Sequence, residues 1–549
     1  MNTRTTRFGA RMRPVSLARQ ANWPRRVPAA SWWQELARRV RKFKPGRQVA
    51  AGLPFLFPVR RDGRVVLLAR GGPEITVPVE GRADYVCLVH EWAQLPETIT
   101  WQQPREGLVV AEYGLCYADG SRHRQQIRAR FEVGMAECRG PSWLTVPFSN
   151  WQTVAPDAVP VAEGMPWGQA QYGLNFPRYQ PAPLVYALPN PHPEKKLRAL
   201  VLRGLDESPI LIYGITLYAG AAHPFRSLPR RVYALNLPDG EPARVAAARV
   251  DLGTVVRIQR TTGRRNGRWL RSPQVGINMP EDKAARFAPP QGEDLLELHG
   301  APDATVKVQL AGGGKPLAFS LGEAFYTGTS RSGGVELQVL GKRRQWMQVR
   351  VIDAATGRPT PARVHFSGAR GEYLAPYGHH EQVNALWFED YGADVVVYDR
   401  QFAYVHGEFS TDLPVGEVYV ELFKGFEYAP VRTRVRIQPG QRTLELKIER
   451  WKDLRREGWV TADTHVHFIS PHTAWLEAQA EGVNVVNLLA SQWGRLFTNV
   501  GDILGRPNVV ENDTIVYVGT ENRNHMLGHM SMLGTQGLPV YPMCCGGPT

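Results

Sequence analysis

The sequence predicts a multidomain chain, mainly β and built of successive sandwiches, that finishes in an α/β segment. Three observations carry this. The 549 residues include 53 glycines and 43 prolines, a density of chain breakers that suits many short strands better than long helices. Short β-prone runs recur between those breakers over most of the chain. After residue 458 the pattern changes to strand, helix, strand, and the second strand is apolar but for two asparagines, close to the type covered on both faces in a parallel sheet.

A hydrophobic share of 43% allows several cores, and the length suggests about three or four domains. Residues 1–49 form a basic tail, with thirteen Lys and Arg against Glu35 alone, so most of the formal net charge of +15 sits there. Within the tail, Ser31 and Gln34 have the spacing of a capping box. Trp32, Leu36, Val40 and Phe43 then make one apolar stripe, with Arg38, Arg39, Arg41 and Lys42 away from it. The expected role is a helix docked on the first domain by its stripe; an anionic-surface helix and a nucleic-acid arm are the alternatives. No specific nucleic acid is expected as a partner.

Residues 50–223 read as a β-sandwich, with strands expected at 64–69, 85–89, 108–113, 199–202 and 210–217. The stretch resembles galactose-binding-like jelly rolls. Its tryptophans (Trp92, Trp101, Trp143, Trp151, Trp167) are expected in the core rather than on a sugar-stacking surface, leaving contact with carbohydrate or an anionic surface as a partner reading. Residues 224–344 form an all-β middle region, with strands at 250–259, 294–299, 305–310 and 334–340 and a solvated basic loop at 260–271. Gly312-Gly313-Gly314-Lys315 is a turn, because Pro316 stands where a phosphate loop needs Ser or Thr.

Residues 345–450 resemble the small carboxypeptidase-regulatory type of sandwich. The strand 347–352 and its expected partner 362–366 flank the turn DAATGRP, and 431–437 with 443–448 are expected as a hairpin around Pro439-Gly440. Tyr373, Pro376, His379, His380, Asn384 and Trp387 cluster in the loop between, either lining a site or ordering the loop. Five cysteines are too few and too scattered for a disulfide framework.

Residues 451–549 carry the chemistry. Asp463, His465 and His467 fall at alternate positions, so an extended strand would send one carboxylate and two imidazoles out by one face. The helix 473–481 stops at Gly482, and 483–489 is the next strand. Glu521 lies just past the strand 514–518, followed by His525 and His529. Three strand ends each offer a candidate ligand, and in α/β sheets sites collect at such ends.

These motifs, Asp463-Thr464-His465-Val466-His467, Gly519-Thr520-Glu521 and Gly528-His529-Met530, resemble the opening of a PHP-type metallohydrolase domain of the carbaryl-hydrolase-like family (CehA/McbA). The resemblance implies the first part of a distorted (β/α) barrel. It makes His465, His467, Glu521 and His529 metal ligands, with Asp463 and His529 in catalytic roles and His525 further out. A divalent metal (Zn, Mn or Fe) would activate water against a phosphoester, ester or carbamate-like bond of a small-molecule substrate. Two departures weigh against it. Leu488 to Trp493 replaces the family's Thr-Asp-His, and the domain is too short for a barrel of roughly 200 residues. The chain is therefore expected to be a fragment, incomplete and itself inactive. The alternative is a non-catalytic multi-sandwich binding or scaffold protein with a degenerate last domain. No secretory signal or membrane-spanning stretch is read, so a cytoplasmic location is the default expectation.

Overall fold

The computed structural model describes residues 8–24, 26–42, 44–58, 65–93, 107–135, 145–147, 183–271, 292–381, 393–397, 400–490, 492–493, 495–496, 498–524 and 528–538. The chain is mainly β, in many sheets, with few helices. It divides into two compact units, Met1–Gln259 with Leu296–Leu340, and Arg260–Leu295 with Gly341–Thr549.

In the first unit, strands Ile210–Ala219 and Tyr85–Trp92 lie at the centre of a six-stranded antiparallel sheet. Both are buried along almost their whole length because both of their faces are covered. Val86, Leu88, Ile210, Ile212, Ile215 and Leu217 enter one core. Cys87, Val89, Leu211, Tyr213 and Tyr218 enter the other. The first core closes against a four-stranded sheet of Ile75–Gly81, Leu197–Gly204, Val109–Tyr117 and Arg122–Arg128. Trp92 belongs to that core and donates to Asp206; Trp101, Trp143, Trp151 and Trp167 lie outside the described residues.

The second core gathers the hairpin Gly46–Ala50/Leu53–Phe57 and the helix Ser31–Lys42. The helix buries Leu36 and Val40 there, with Trp32 and Trp33 packed alongside. Its capping box is not formed as the sequence suggests: Ser31 already belongs to the helix, and the Gln34 amide donates to the Pro28 carbonyl. The expected strand 250–259 is two strands, Val245–Val250 and Gly253–Arg260, in different sheets. Asp251 makes the break, accepting the Leu252 and Thr305 amides.

The hairpin turn is fixed by Gly52 at φ 79°, where an added Cβ would lie 1.7 Å from the Asp251 carbonyl oxygen. Gly440 has the same φ of 79° but open space around it. We expect Gly52→Ala to lower stability by about 3 kcal/mol and Gly440→Ala by about 1 kcal/mol, the left-handed penalty alone. Urea titrations of the two variants compare the costs, and equal losses would show that the turn tolerates a methyl.

In the second unit, a four-stranded sheet (Glu408–Pro414, Arg344–Asp353, Thr443–Arg450, Tyr428–Ala429) faces a five-stranded one. The latter holds Asp394–Val397, Arg400–Val405, Ala362–Ser367, Gly416–Phe423 and Val431–Ile437. Their inner faces share one apolar core that includes Val349, Val364, Phe366, Val420 and Leu446. Two expected hairpins are corrected here. Arg344–Asp353 and Ala362–Ser367 lie in opposite sheets, as do Val431–Ile437 and Thr443–Arg450. Thr443–Arg450 instead runs parallel to Arg344–Asp353.

The basic segment 260–271 is not a solvated loop. Arg260 and Arg264 pair with Asp294 and Glu293. Arg265 is buried on Ser367, and Trp269 is sandwiched by the guanidiniums of Arg265 and Arg432. Arg260, Arg264 and Arg265 each have a carboxylate, hydroxyl or ring to meet, while Arg268 and Arg271 stay exposed, so the segment covers the five-stranded sheet instead of avoiding it.

Candidate metal centre

The last part of the second unit is a five-stranded sheet in the order Ala462–Val466, Val485–Ala490, Thr514–Asn524, Val509–Glu511, with Gly528–Met532 also pairing Thr514–Asn524. The first three strands are parallel. The helix Pro471–Glu481 links the first two; Ser470 caps its start by accepting the Thr473 amide, and Gly482 ends it at φ 71°. The helix buries Ala474, Trp475, Leu476, Ala478 and Ala480. Tyr404 donates to Glu481, and Lys424 is held between the Pro361 and Gln479 carbonyls. Burial lowers the Lys424 ammonium to about 8.

His465, His467 and Glu521 have donor atoms within 4.8 Å of one another. Glu521 is 4% exposed. One of its oxygens lies 2.9 Å from His467 Nε2, and the other lies 2.8 Å from His529 Nδ1 and 3.6 Å from His465 Nε2. The two Nε2 atoms are 2.9 Å apart. His467 Nδ1 faces the Leu489 carbonyl at 2.8 Å and must donate to it, which leaves a lone pair on Nε2 when the ring is neutral. That lone pair faces the buried Glu521 carboxylate across 2.9 Å, with His465 Nε2 beside it. Only a positive charge there, a shared proton or a cation, removes the repulsion. A backbone carbonyl holding the far nitrogen of a ligand histidine is also the usual orienting contact of a metal site. The residues therefore fit a divalent cation.

His529 reaches Glu521 but is not in the convergent trio. Asp463 is exposed and accepts the His465 amide at 3.0 Å, which shapes the strand end rather than joining the trio. The alternation of the sequence breaks at a register shift between Asp463 and Val466, and Phe468 turns the chain at φ 66°. Glu521 lies inside a strand, opposite Ser531, not beyond its end. The reason is that the polar run Thr520–Asn524 pairs with Gly528–Met532, a partner that hydropathy does not mark. Ser531 Oγ lies 3.3 Å from His465 Nδ1, a contact the sequence reading missed. His525 lies outside the described residues.

The histidines of the long loop sit elsewhere. His379 and His380 both bring Nδ1 to Asp394, whose side chain is fully buried, and Tyr373 stacks on the buried His365. They order the loop. Asn384 and Trp387 lie outside the described residues.

The barrel and the hydrolase assigned with it are corrected by this topology. A (β/α) barrel alternates helices with parallel strands. Here the described residues give one helix, and Val509–Glu511 and Gly528–Met532 both run antiparallel to Thr514–Asn524. No family model matches the chain, and no curated protein matches it. The resemblance to PHP-type hydrolases of the CehA/McbA family is therefore not upheld, and the small-molecule substrate goes with it. Solved structures similar to this chain include the group B streptococcus pilus 2b backbone protein, at 8% identity and a TM-score of 0.18 over 71% of this chain and 97% of that one. The streptococcal ancillary pilin matches at 9% and 0.14 over 47% and 83%. The major pilin subunit of Bacillus cereus matches at 11% and 0.14 over 67% and 100%. Scores this low carry no argument about fold or role. Among the described residues no helix is long and apolar enough to cross a membrane.

Proposed function

We propose that this chain is a non-catalytic binding or scaffold protein of several β-sandwich modules, whose last sheet carries a divalent cation as a structural clamp. The observation that supports it is the sheet around the imidazole cluster, in which Val509–Glu511 and Gly528–Met532 run antiparallel to Thr514–Asn524, whereas a barrel hydrolase builds its site on parallel strands alternating with helices. The rest of the described chain is mostly antiparallel sheet around apolar cores, which suits presentation of surfaces.

In this reading His465, His467 and Glu521 hold the cation, with His529 steadying Glu521, and zinc, manganese and iron all accept such a donor set. The cation ties the first and third parallel strands together across the sheet. Dialysis against zinc followed by elemental analysis should find about one metal per chain, retained by the wild type and lost from the His465→Ala/His467→Ala variant. Zinc at roughly one hundred times its Kd should stabilise the wild type by about 2.7 kcal/mol and leave the variant unmoved. Equal metal in both proteins would remove the clamp. Metal-dependent turnover of bis(p-nitrophenyl) phosphate or p-nitrophenyl acetate, lost in the same variant, would overturn the non-catalytic reading.

A further inference from the structure

The strand Arg344–Asp353 turns Met347, Val349 and Val351 into the core of the small sandwich and Trp346, Gln348 and Arg350 outward. An outward tryptophan is unusual, since the fold gains nothing by leaving an indole in water. Trp346 is 53% exposed, and beside it stands Tyr377 at 74%. Their ring centroids are 5.6 Å apart and the planes meet at 79°, so the rings form two walls of a notch.

Singly exposed aromatic residues need no explanation. This pair is assembled from separate segments and held in place by backbone. Tyr377 donates its amide to the Ser410 carbonyl at 2.8 Å, and its turn is closed by the His379 amide on the Pro376 carbonyl at 3.1 Å. Trp346 is fixed by pairing with Asp412, and Gln348 by pairing with Ser410. The platform is rigid before any ligand arrives, which lowers the cost of binding.

The polar groups around the notch define its ligand. Ser410 Oγ donates to Gln348 Oε1 at 3.0 Å, which leaves the donor capacity of the Gln348 amide nitrogen for a ligand. Asp412 is neutralised by Arg344 Nε at 2.7 Å, and Arg350 by Glu408 at 2.9 Å. The rim thus offers hydroxyl, amide and charge-balanced carboxylate groups. An anionic ligand finds no uncommitted cation among them, and an apolar peptide would strand them without partners. A pyranose ring meets both demands, with C–H bonds on its face and hydroxyls on its edge.

We propose that the outer face of this four-stranded sheet binds a neutral polysaccharide, with Trp346 and Tyr377 as the stacking walls and Gln348, Ser410 and Asp412 as hydroxyl partners. The assignment rests on the reading of the chain as a binding protein, and names its partner class.

Affinity electrophoresis tests it. The protein, running as a cation because its net charge is +15, migrates through native gels containing hydroxyethylcellulose, glycol chitin, galactomannan or soluble starch. At least one polymer should retard the wild type, and Trp346→Ala should weaken that retardation roughly tenfold, as loss of a central aromatic anchor does. Tyr377→Ala should also weaken it, and Tyr377→Phe should retain it. Trp451→Ala, which removes an equally exposed indole (67%) remote in sequence from the notch, should bind as the wild type does. Melting temperatures of the Trp346 and Tyr377 variants should match the wild type, because those side chains are exposed. Retardation by none of the four polymers, or equal retardation of wild type and Trp346→Ala, would overturn the proposal. Either result leaves the turnover assay untouched, so failure here and failure of the non-catalytic reading are told apart.

Discussion

Glu421→Ala should destabilise the second unit by about 3–5 kcal/mol, the cost of leaving buried charge without its partner. Glu421 is fully buried on the outer face of the five-stranded sheet. Arg400 reaches both of its oxygens at 2.9 Å, and Arg432 reaches Oε1 at 2.6 Å. Burial alone would raise this carboxyl, but Arg400, then His365 and Arg432, outweigh it and hold it below its ordinary range. Without the carboxylate, Arg400 and Arg432 lose the buried counter-charge they share. Glu421→Gln keeps the shape and removes only the charge, so it should also be costly, though less so. The measurement is urea unfolding with the slope m checked for constancy. A loss for Glu421→Ala below about 1 kcal/mol would mean that water reaches the site and that the layer is not dry.

Mild acid should act nearly as strongly. His90 is fully buried in the first unit, bonded to the Tyr113 hydroxyl and the Glu132 carbonyl, and burial pushes it down to about 4. His365 is fully buried in the second unit and is likewise lowered to about 4, first by burial, against the opposing pull of Glu421. An unfolded histidine takes up its proton near 6.5. Between those values the unfolded chain binds more protons than the folded one, so stability falls as pH falls from about 6.5 to about 4. Each group contributes a loss of roughly 3 kcal/mol over that window. Urea midpoints at pH 7 and pH 5 should show the drop, and His365→Phe should flatten it for the second unit. A midpoint independent of pH over this range would show that one or both rings are hydrated. Glu421 and Asp353, both held below their ordinary range, add a further loss only at lower pH.

The strands were legible where hydropathy alone sets them. Ile210–Ala219, Thr305–Leu310 and Val485–Ala490 lie where apolar runs end in turn residues, because burial is the dominant local signal. Their partners were not legible. Alternation with a period of two says which side chains share a face, but not which strand lies alongside. Both expected hairpins of the small sandwich therefore proved to be crossings between its sheets. The basic segment 260–271 was misread for a similar reason. Its charges look solvated until the carboxylates Glu293 and Asp294, far along the chain, come beside them. At the candidate cation site the residue types marked His465, His467 and Glu521, while the Leu489 carbonyl that orients His467 is backbone and leaves no trace in composition. The hydrolase reading failed because short motifs describe a local cluster and not the sheet that surrounds it.

The parallel pairing of Arg344–Asp353 with Thr443–Arg450 has a mechanical consequence. These are the first and last long strands of the small sandwich, and six residue pairs, from Gln348↔Thr443 to Asp353↔Ile448, lie in register. Tension applied through the backbone enters one strand at its head and leaves the other at its tail. The pulling direction therefore runs along the ladder, and its rungs must slide past each other together instead of opening one by one like a zip. A module wired in this way resists extension, whatever it holds.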